Sequence, residues 1–154
     1  MHYWLMKSEP DVYSIDHLRR DRRTSWNGVR NYQARNHMRA MKKGDLVLFY
    51  HSRSEPPAVA GVAKVVREAY PDPTQFDRKS EYHDPKSLKD EPRWWLVDIG
   101  FVERFAEPVG LPTIKSEKRL KDMVLVNNSR LSVQPVTSDE FERVCTMSAK
   151  AARA

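Results

Sequence analysis

Residues 46–50, Leu46-Val47-Leu48-Phe49-Tyr50, are five apolar side chains in a row, and no other run in the chain narrows its possible folds so far. Successive side chains of a strand point to opposite faces, so an unbroken apolar run needs cover on both. A surface helix would show a stripe of period 3.6 instead. Lys43-Gly44-Asp45 makes a turn into the run. His51-Ser52 follows it, placing an imidazole and a hydroxyl where a buried strand meets a loop or a cavity. The chain must therefore supply layers on both sides of a sheet, and 154 residues suffice for one domain with such a core.

The other expected elements are short. Tyr3-Trp4-Leu5-Met6 reads as a centrally placed first strand, ending at Lys7-Ser8-Glu9-Pro10, where proline stops ladder pairing. Residues 14–20 read as a helix with Ile15 and Leu18 inward. Residues 58–66 form a strand in which Gly61 marks a bulge or a close approach. Residues 94–102 form a longer strand, with Trp95, Val97, Ile99 and Phe101 as its core face. Between these two, residues 70–92 carry four prolines and six acidic residues. They read as an irregular excursion with a helical turn near residues 85–89. Residues 109–113 make a proline-bounded connection, residues 113–121 a short basic helix, and residues 127–130 a polar turn. Residues 131–136 alternate as a half-buried edge strand. Thr137-Ser138-Asp139-Glu140 is a capping box for a last helix that buries Phe141, Val144 and Cys145. Residues 1–148 are expected to form one domain, and residues 149–154 to fray. Strands and helices do not alternate regularly, which argues against a doubly wound parallel sheet. The expected class is α+β: a mixed, mostly antiparallel β-barrel of five or six strands with short flanking helices.

Trp26-Asn27-Gly28-Val29-Arg30-Asn31-Tyr32-Gln33-Ala34-Arg35-Asn36 combines an indole, a phenol, two guanidiniums, a glutamine and three asparagines. Gly28 permits a backbone angle or an approach that a side chain would block. Beyond it, Ala34, Met38 and Met41 fall on one helical stripe, and Arg35 and Arg39 on another. A turn therefore feeds a helix, with a planar ring and hydrogen-bonding groups at its start. A nucleobase needs that combination: an aromatic face to stack on and amides to read its edge. The same residue types also suit a plainer structure, with Trp26 and Tyr32 in the core and the Asn and Arg residues solvated. Trp4 and Trp95 are open between core and pocket in the same way.

The net charge of +6 is unevenly spread. Residues 1–44 carry ten cations against four carboxylates, residues 45–112 nine against twelve, and residues 113–154 eight against five. Basic surface beside a stacking pocket suits a polyanion. Arg19-Arg20-Asp21-Arg22-Arg23 is either a solvated loop or a phosphate contact, and Arg35 and Arg39 are further candidates for the nucleic-acid backbone. No apolar run approaches a membrane span. The amino terminus lacks a signal peptide's pattern, and the single cysteine excludes an internal disulfide. Cytosol or nucleus is the expected setting, with the monomer as the expected state.

Four stretches together resemble the EVE domain family: Lys7-Ser8-Glu9-Pro10, the residues 26–36 above, Phe49-Tyr50-His51-Ser52, and Leu131-Ser132-Val133-Gln134-Pro135-Val136. The likeness spans essentially the whole chain. It implies membership of the PUA-like superfamily, beside the YTH and ASCH domains, and hence a pseudobarrel fold. It also implies a non-catalytic domain that takes a flipped-out modified base, for example methylated or hydroxymethylated, from DNA or RNA, as YTH domains take N6-methyladenine. The compartment would be cytoplasmic in a bacterium and nuclear in a eukaryote. Carried over, Trp26, Asn27 and Tyr32 stand at the pocket wall. Arg30 and Asn31 are hydrogen-bonding or phosphate-facing groups, and Lys7, Ser8, Phe49, Tyr50, His51 and Ser52 form floor and rim. No cofactor is expected.

Raw materials for catalysis are thin. Five histidines are scattered without ligand spacing, so no metal site is expected. His51-Ser52 with Glu9 can be sketched as a hydrolytic group, but neighbours on one strand point to opposite faces. The alternatives are an ASCH-like enzyme acting on a modified nucleoside or RNA, and a protein-interaction module using residues 70–92.

Overall fold

The computed structural model describes residues 1–128 and 130–153. Ser129, in the expected polar turn, and Ala154, at the end of the expected frayed tail, lie outside them. Six strands, β1 (Tyr3–Ser8), β2 (Arg23–Ser25), β3 (Leu46–His51), β4 (Ala58–Pro71), β5 (Trp95–Gly110) and β6 (Val133–Val136), form one sheet in the order β2-β5-β4-β3-β1-β6. Among the described residues, only β1 and β3 pair in parallel; the other neighbours are antiparallel. The mixed, mostly antiparallel character is as expected. The closed barrel is not: the sheet is open, with β2 and β6 as its edges.

The apolar run of β3 is sandwiched as its pattern requires. Val47 and Phe49 enter one core with Trp4 and Met6 of β1, while Leu48 and Tyr50 enter a second core with Leu5. Helices α1 (Ile15–Asp21) and α2 (Tyr32–Ala40) cover the first face through Ile15, Leu18, Ala34, Met38 and the adjoining Met41. The second face is covered by α3 (Leu111–Ser116), α4 (Val124–Asn127) and α5 (Ser138–Arg153) through Ile114, Leu125, Phe141 and Val144. Thr137 and Glu140 form the capping box of α5 by reciprocal bonds of 3.1 and 3.0 Å. That helix spans Ser138–Arg153.

Gly61 lies where the β3–β4 and β4–β5 registers shift. A Cβ there would sit 2.3 Å from the Glu103 carbonyl oxygen and 2.9 Å from Ile15, so both readings of this glycine hold. The bulge reverses which core each side chain enters, with Val59 and Val62 in the second and Ala63 and Val65 in the first. β5 follows: Val97 and Ile99 pack in the first core, Phe105 and Val109 in the second. Leu96 and Asp98 on its opposite face are buried too, as is Trp94 just before the strand.

Three local expectations are corrected. The basic run of residues 19–23, expected as a loop, instead ends α1 and begins β2, a three-residue edge strand on β5. The helical turn of the excursion is a 3-10 helix at Pro73–Phe76, where Asp72 caps the Thr74 N–H, rather than near residues 85–89. The basic segment after β5 splits into α3 and a 3-10 turn, Lys118–Leu120.

Candidate nucleic-acid interface

A cleft of about 610 Å³ opens where the end of β1, the loop into α1, β2 and the turn before α2 converge. Its walls include Lys7, Ser8, Glu9, Tyr13, Trp26, Asn27, Asn31 and Tyr82. The motif turn forms one side because its backbone is fixed at both ends. The Trp26 N–H donates to the Val97 carbonyl at 2.9 Å, continuing the β2 edge. At the other end Asn31 caps α2, its Oδ1 accepting the Ala34 N–H at 2.9 Å. That leaves the Asn31 amide NH2 to donate elsewhere.

Trp26 is half-buried, with its ring edge-to-face on Phe49 at 5.6 Å and 87°. It is therefore both cleft wall and the outermost part of the first core. Gly28 takes φ +82°, and a Cβ there would lie 2.7 Å from the Tyr82 ring. Both facts demand glycine: the backbone is left-handed and Tyr82 packs flat against it.

Tyr82 comes from the excursion, and the groups that hold it were not legible in the motif. Asp72 is fully buried. Its Oδ2 accepts the Gly28 N–H at 2.8 Å and Arg30 Nη1 at 3.2 Å, and its Oδ1 accepts the Thr74 N–H and hydroxyl at 2.8 and 2.6 Å. Arg30 spends all its donors on protein. Nε and Nη2 reach the Tyr82 carbonyl, Nη2 also reaches Thr74 Oγ1, and Nη1 also reaches the Val29 carbonyl. Its guanidinium lies 5.7 Å from the Tyr82 ring centre and 5.4 Å from that of Trp94. Arg30, itself a lining residue of the cleft, thus clamps the motif to the excursion with its donors engaged by protein.

The remaining expected site residues divide. Lys7 and Ser8 line the cleft, where the Ser8 hydroxyl donates to the Tyr13 carbonyl at 2.6 Å. The Lys7 ammonium lies 5.6 Å from the Tyr50 ring centre, and burial lowers its pKa. Tyr32 is exposed outside the cleft, stacked on Trp94 at 4.8 Å beneath the Arg35 guanidinium. Phe49 and Tyr50 are core residues on opposite faces. His51 Nε2 accepts the Ile15 N–H at 3.0 Å, so it caps α1; burial depresses its pKa and favours the neutral ring that this bond needs. Ser52 donates its N–H to the Ser8 carbonyl. Glu9 pairs with Arg53 at 3.1 Å, so the sketched group of His51, Ser52 and Glu9 is not assembled.

Arg19, Arg20, Arg22 and Arg23 are exposed at the end of α1 and along β2, beside Thr24 and Ser25 of the cleft wall. Arg20 also pairs with Asp21, and Arg23 with Asp98. Arg35 is tied to the Arg93 carbonyl and Asn36, and Arg39 lies 4.5 Å from the Trp95 ring centre. Among the missed residues, Asp72 had a sequence signal, the Asp-Pro-Thr of a capped turn. Tyr82 had none.

Human thymocyte nuclear protein 1 is 42% identical over 167 residues, covering 96% of this chain and 74% of the human protein. The crystal structure of human THYN1 protein in complex with DNA containing 5-methylcytosine matches with TM-score 0.92 over 96% of this chain and 98% of that one, at 42% identity. A hypothetical protein from Leishmania major matches with TM-score 0.95 at 49% identity, covering 99% and 97% of the two chains. The Mmi1 YTH domain, at 13% identity and TM-score 0.55 over 99% and 91%, shares the fold alone. Matched by the EVE domain family over residues 2–147, the chain belongs to that family.

Proposed function

We propose that this chain binds DNA or RNA carrying a modified base and takes that base, flipped from its stack, into the cleft between Trp26 and Tyr82. The observation that carries the reading is the cleft itself: about 610 Å³, walled by aromatic rings and by amide and hydroxyl groups. It occurs in a fold that, in human THYN1 protein, is seen with 5-methylcytosine-containing DNA. Its size is in the ordinary range for small-ligand sites. Extruding a base costs a few kcal/mol, and stacking on one aromatic face returns about 1–3 kcal/mol. Edge hydrogen bonds from Asn27 and Asn31, an acceptor on Ser8, and phosphate contacts by the exposed arginines at residues 19–23 supply the balance. The domain acts by binding rather than by turnover.

The test is fluorescence-monitored binding to short single- and double-stranded DNA and RNA. Each oligonucleotide is unmodified, cytosine-modified or adenine-modified, and is measured at two salt concentrations. Preference for one modified base, with affinity falling as salt rises, is the expected result. Salt-sensitive binding with no modification preference would leave only a general nucleic-acid binder. No binding to any oligonucleotide would overturn the reading.

A further inference from the structure

Glu9 is the one carboxylate among the described residues lining the cleft. In a site otherwise furnished with cations, amides and hydroxyls for a polyanion, an acid repels the phosphates and calls for a reason. Its backbone is fixed, since its carbonyl accepts the N–H groups of Val12 and Tyr13 at 2.9 Å each. Its side chain is held by Arg53 at 3.1 Å and is 44% exposed. One guanidinium does not exhaust a carboxylate, which has about four acceptor positions. Asn31, also on the cleft wall, offers the complementary group, because its own oxygen is committed to the helix cap and its NH2 remains.

From the presence of one carboxylate and an amide donor in the same cleft we infer that Glu9 selects a base bearing an exocyclic amino group and rejects keto pyrimidines; this rests on the base-reading function proposed above. A cytosine-type edge presents an amino donor beside ring and carbonyl acceptors, and carboxylates accept from that amino group. A thymine- or uracil-type edge presents carbonyl oxygens on both sides of a single N–H. A carboxylate that reaches this N–H meets an oxygen lone pair next to it.

The probes are two single-stranded oligonucleotides identical except at one position, which holds 5-methylcytosine or thymine. The two bases share the methyl group and differ only in the amino and keto edge. The full chain should bind the first about tenfold more tightly, the discrimination typical of one good base-edge contact. In Glu9→Gln the side-chain amide can present either an acceptor or a donor, so the ratio should fall toward one. The ratio is the readout because losing a negative charge raises affinity for both strands alike. In Arg53→Gln, which removes the ion pair and keeps the acid, the tenfold ratio should persist; its loss there together with an unchanged ratio in Glu9→Gln would assign the selection to Arg53 and overturn the inference. Equal binding of both probes by the parent chain overturns it while leaving the base-reading function standing. Failure to bind either probe, or any member of the wider panel, removes both.

Discussion

Removing the Asp72 carboxylate should cost more than any other single change near the cleft. In Asp72→Ala the Gly28 N–H, the Thr74 N–H and hydroxyl, and one arm of Arg30 lose their acceptor together. Asp72 is fully buried and the Arg30 side chain only 22% exposed, so solvent replaces little of what is lost. Breaking a buried pair from one side costs about 3–5 kcal/mol. At 2–4 °C per kcal/mol for a chain of this size, that is a fall of roughly 6–20 °C in Tm. Arg30→Lys should cost less, because one ammonium keeps the charge opposite Asp72 but cannot reproduce a planar fork spread over Tyr82, Thr74 and Val29. Both variants should bind oligonucleotide more weakly by loosening Tyr82. Thermal melting followed by tryptophan fluorescence measures the first effect and salt titration of binding separates the second. If Asp72→Ala melts within about 2 °C of the parent chain, the clamp carries no weight. If Arg30→Lys keeps full stability while Arg30→Ala lowers the salt slope by about one released counterion, Arg30 faces a phosphate and the reasoning fails.

Gly28→Ala combines a φ of +82° with a Cβ 2.7 Å from the Tyr82 ring, whereas Gly44→Ala at φ +95° meets nothing within 4 Å. Each should cost about 1–3 kcal/mol of backbone strain, but only Gly28→Ala should also reduce oligonucleotide affinity, and equal binding by the two variants would contradict the packing argument. Trp26→Ala should lower stability by roughly 2 kcal/mol, about half the loss for a fully buried indole, and weaken binding as well; circular-dichroism melting beside a binding titration checks both. His51 titrates below its ordinary value of 6.5 because it is buried, so the unfolded chain takes up the proton first. Stability should therefore be level above the unfolded value and fall as pH drops through it toward the depressed folded value. His37, also depressed by burial, adds in the same direction. Urea unfolding between pH 5.5 and 7.5 should show this slope, and His51→Gln should flatten part of it. Burial, with Glu103 and Glu142 adding to it, pushes the Cys145 thiol up to about 11. Alkylation at pH 8 should accordingly be far slower in the folded chain than in urea, and equal rates would show that the thiol is accessible and unperturbed.

The sheet was legible where burial acts on a run of residues. Five apolar side chains at 46–50 could only be a doubly covered strand, and Ala34 and Met38 form the expected buried helical stripe, whereas Met41 is buried just past the helix end in extended backbone. β2 was illegible because Arg23, Thr24 and Ser25 carry no apolar pattern; the strand exists only because β5 offers an unpaired edge. The open edge was equally hidden. Closure depends on whether β2 and β6 meet, which neither short strand encodes.

The cleft divides along the same line. Gly28 as a special turn and polar groups at the start of α2 follow from local chemistry, and both stand at the cleft. Phe49, Tyr50, His51 and Ser52 sit on a neighbouring strand end, but their side chains serve the two cores, a helix cap and a backbone bond. A polar strand end marks a place where the backbone leaves the core, and here that place is the start of α1 rather than a ligand. The wall supplied by Tyr82 was out of reach because its contacts with Gly28 and Arg30 span more than fifty positions. No residue of the excursion enters either apolar core. Its order comes instead from Asp72, from Gln75 bonded to Trp94 and Ser87, and from Trp94 bonded to Asp84. Such a segment draws on hydrogen bonds rather than buried area, and segments with few apolar contacts open at lower free energy than the strands beside them. One side of the cleft is thus set on the sheet and the other on a segment held to the motif by the hydrogen bonds of Asp72 and Arg30, so a change at Asp72 should loosen the Tyr82 wall while leaving both apolar cores intact.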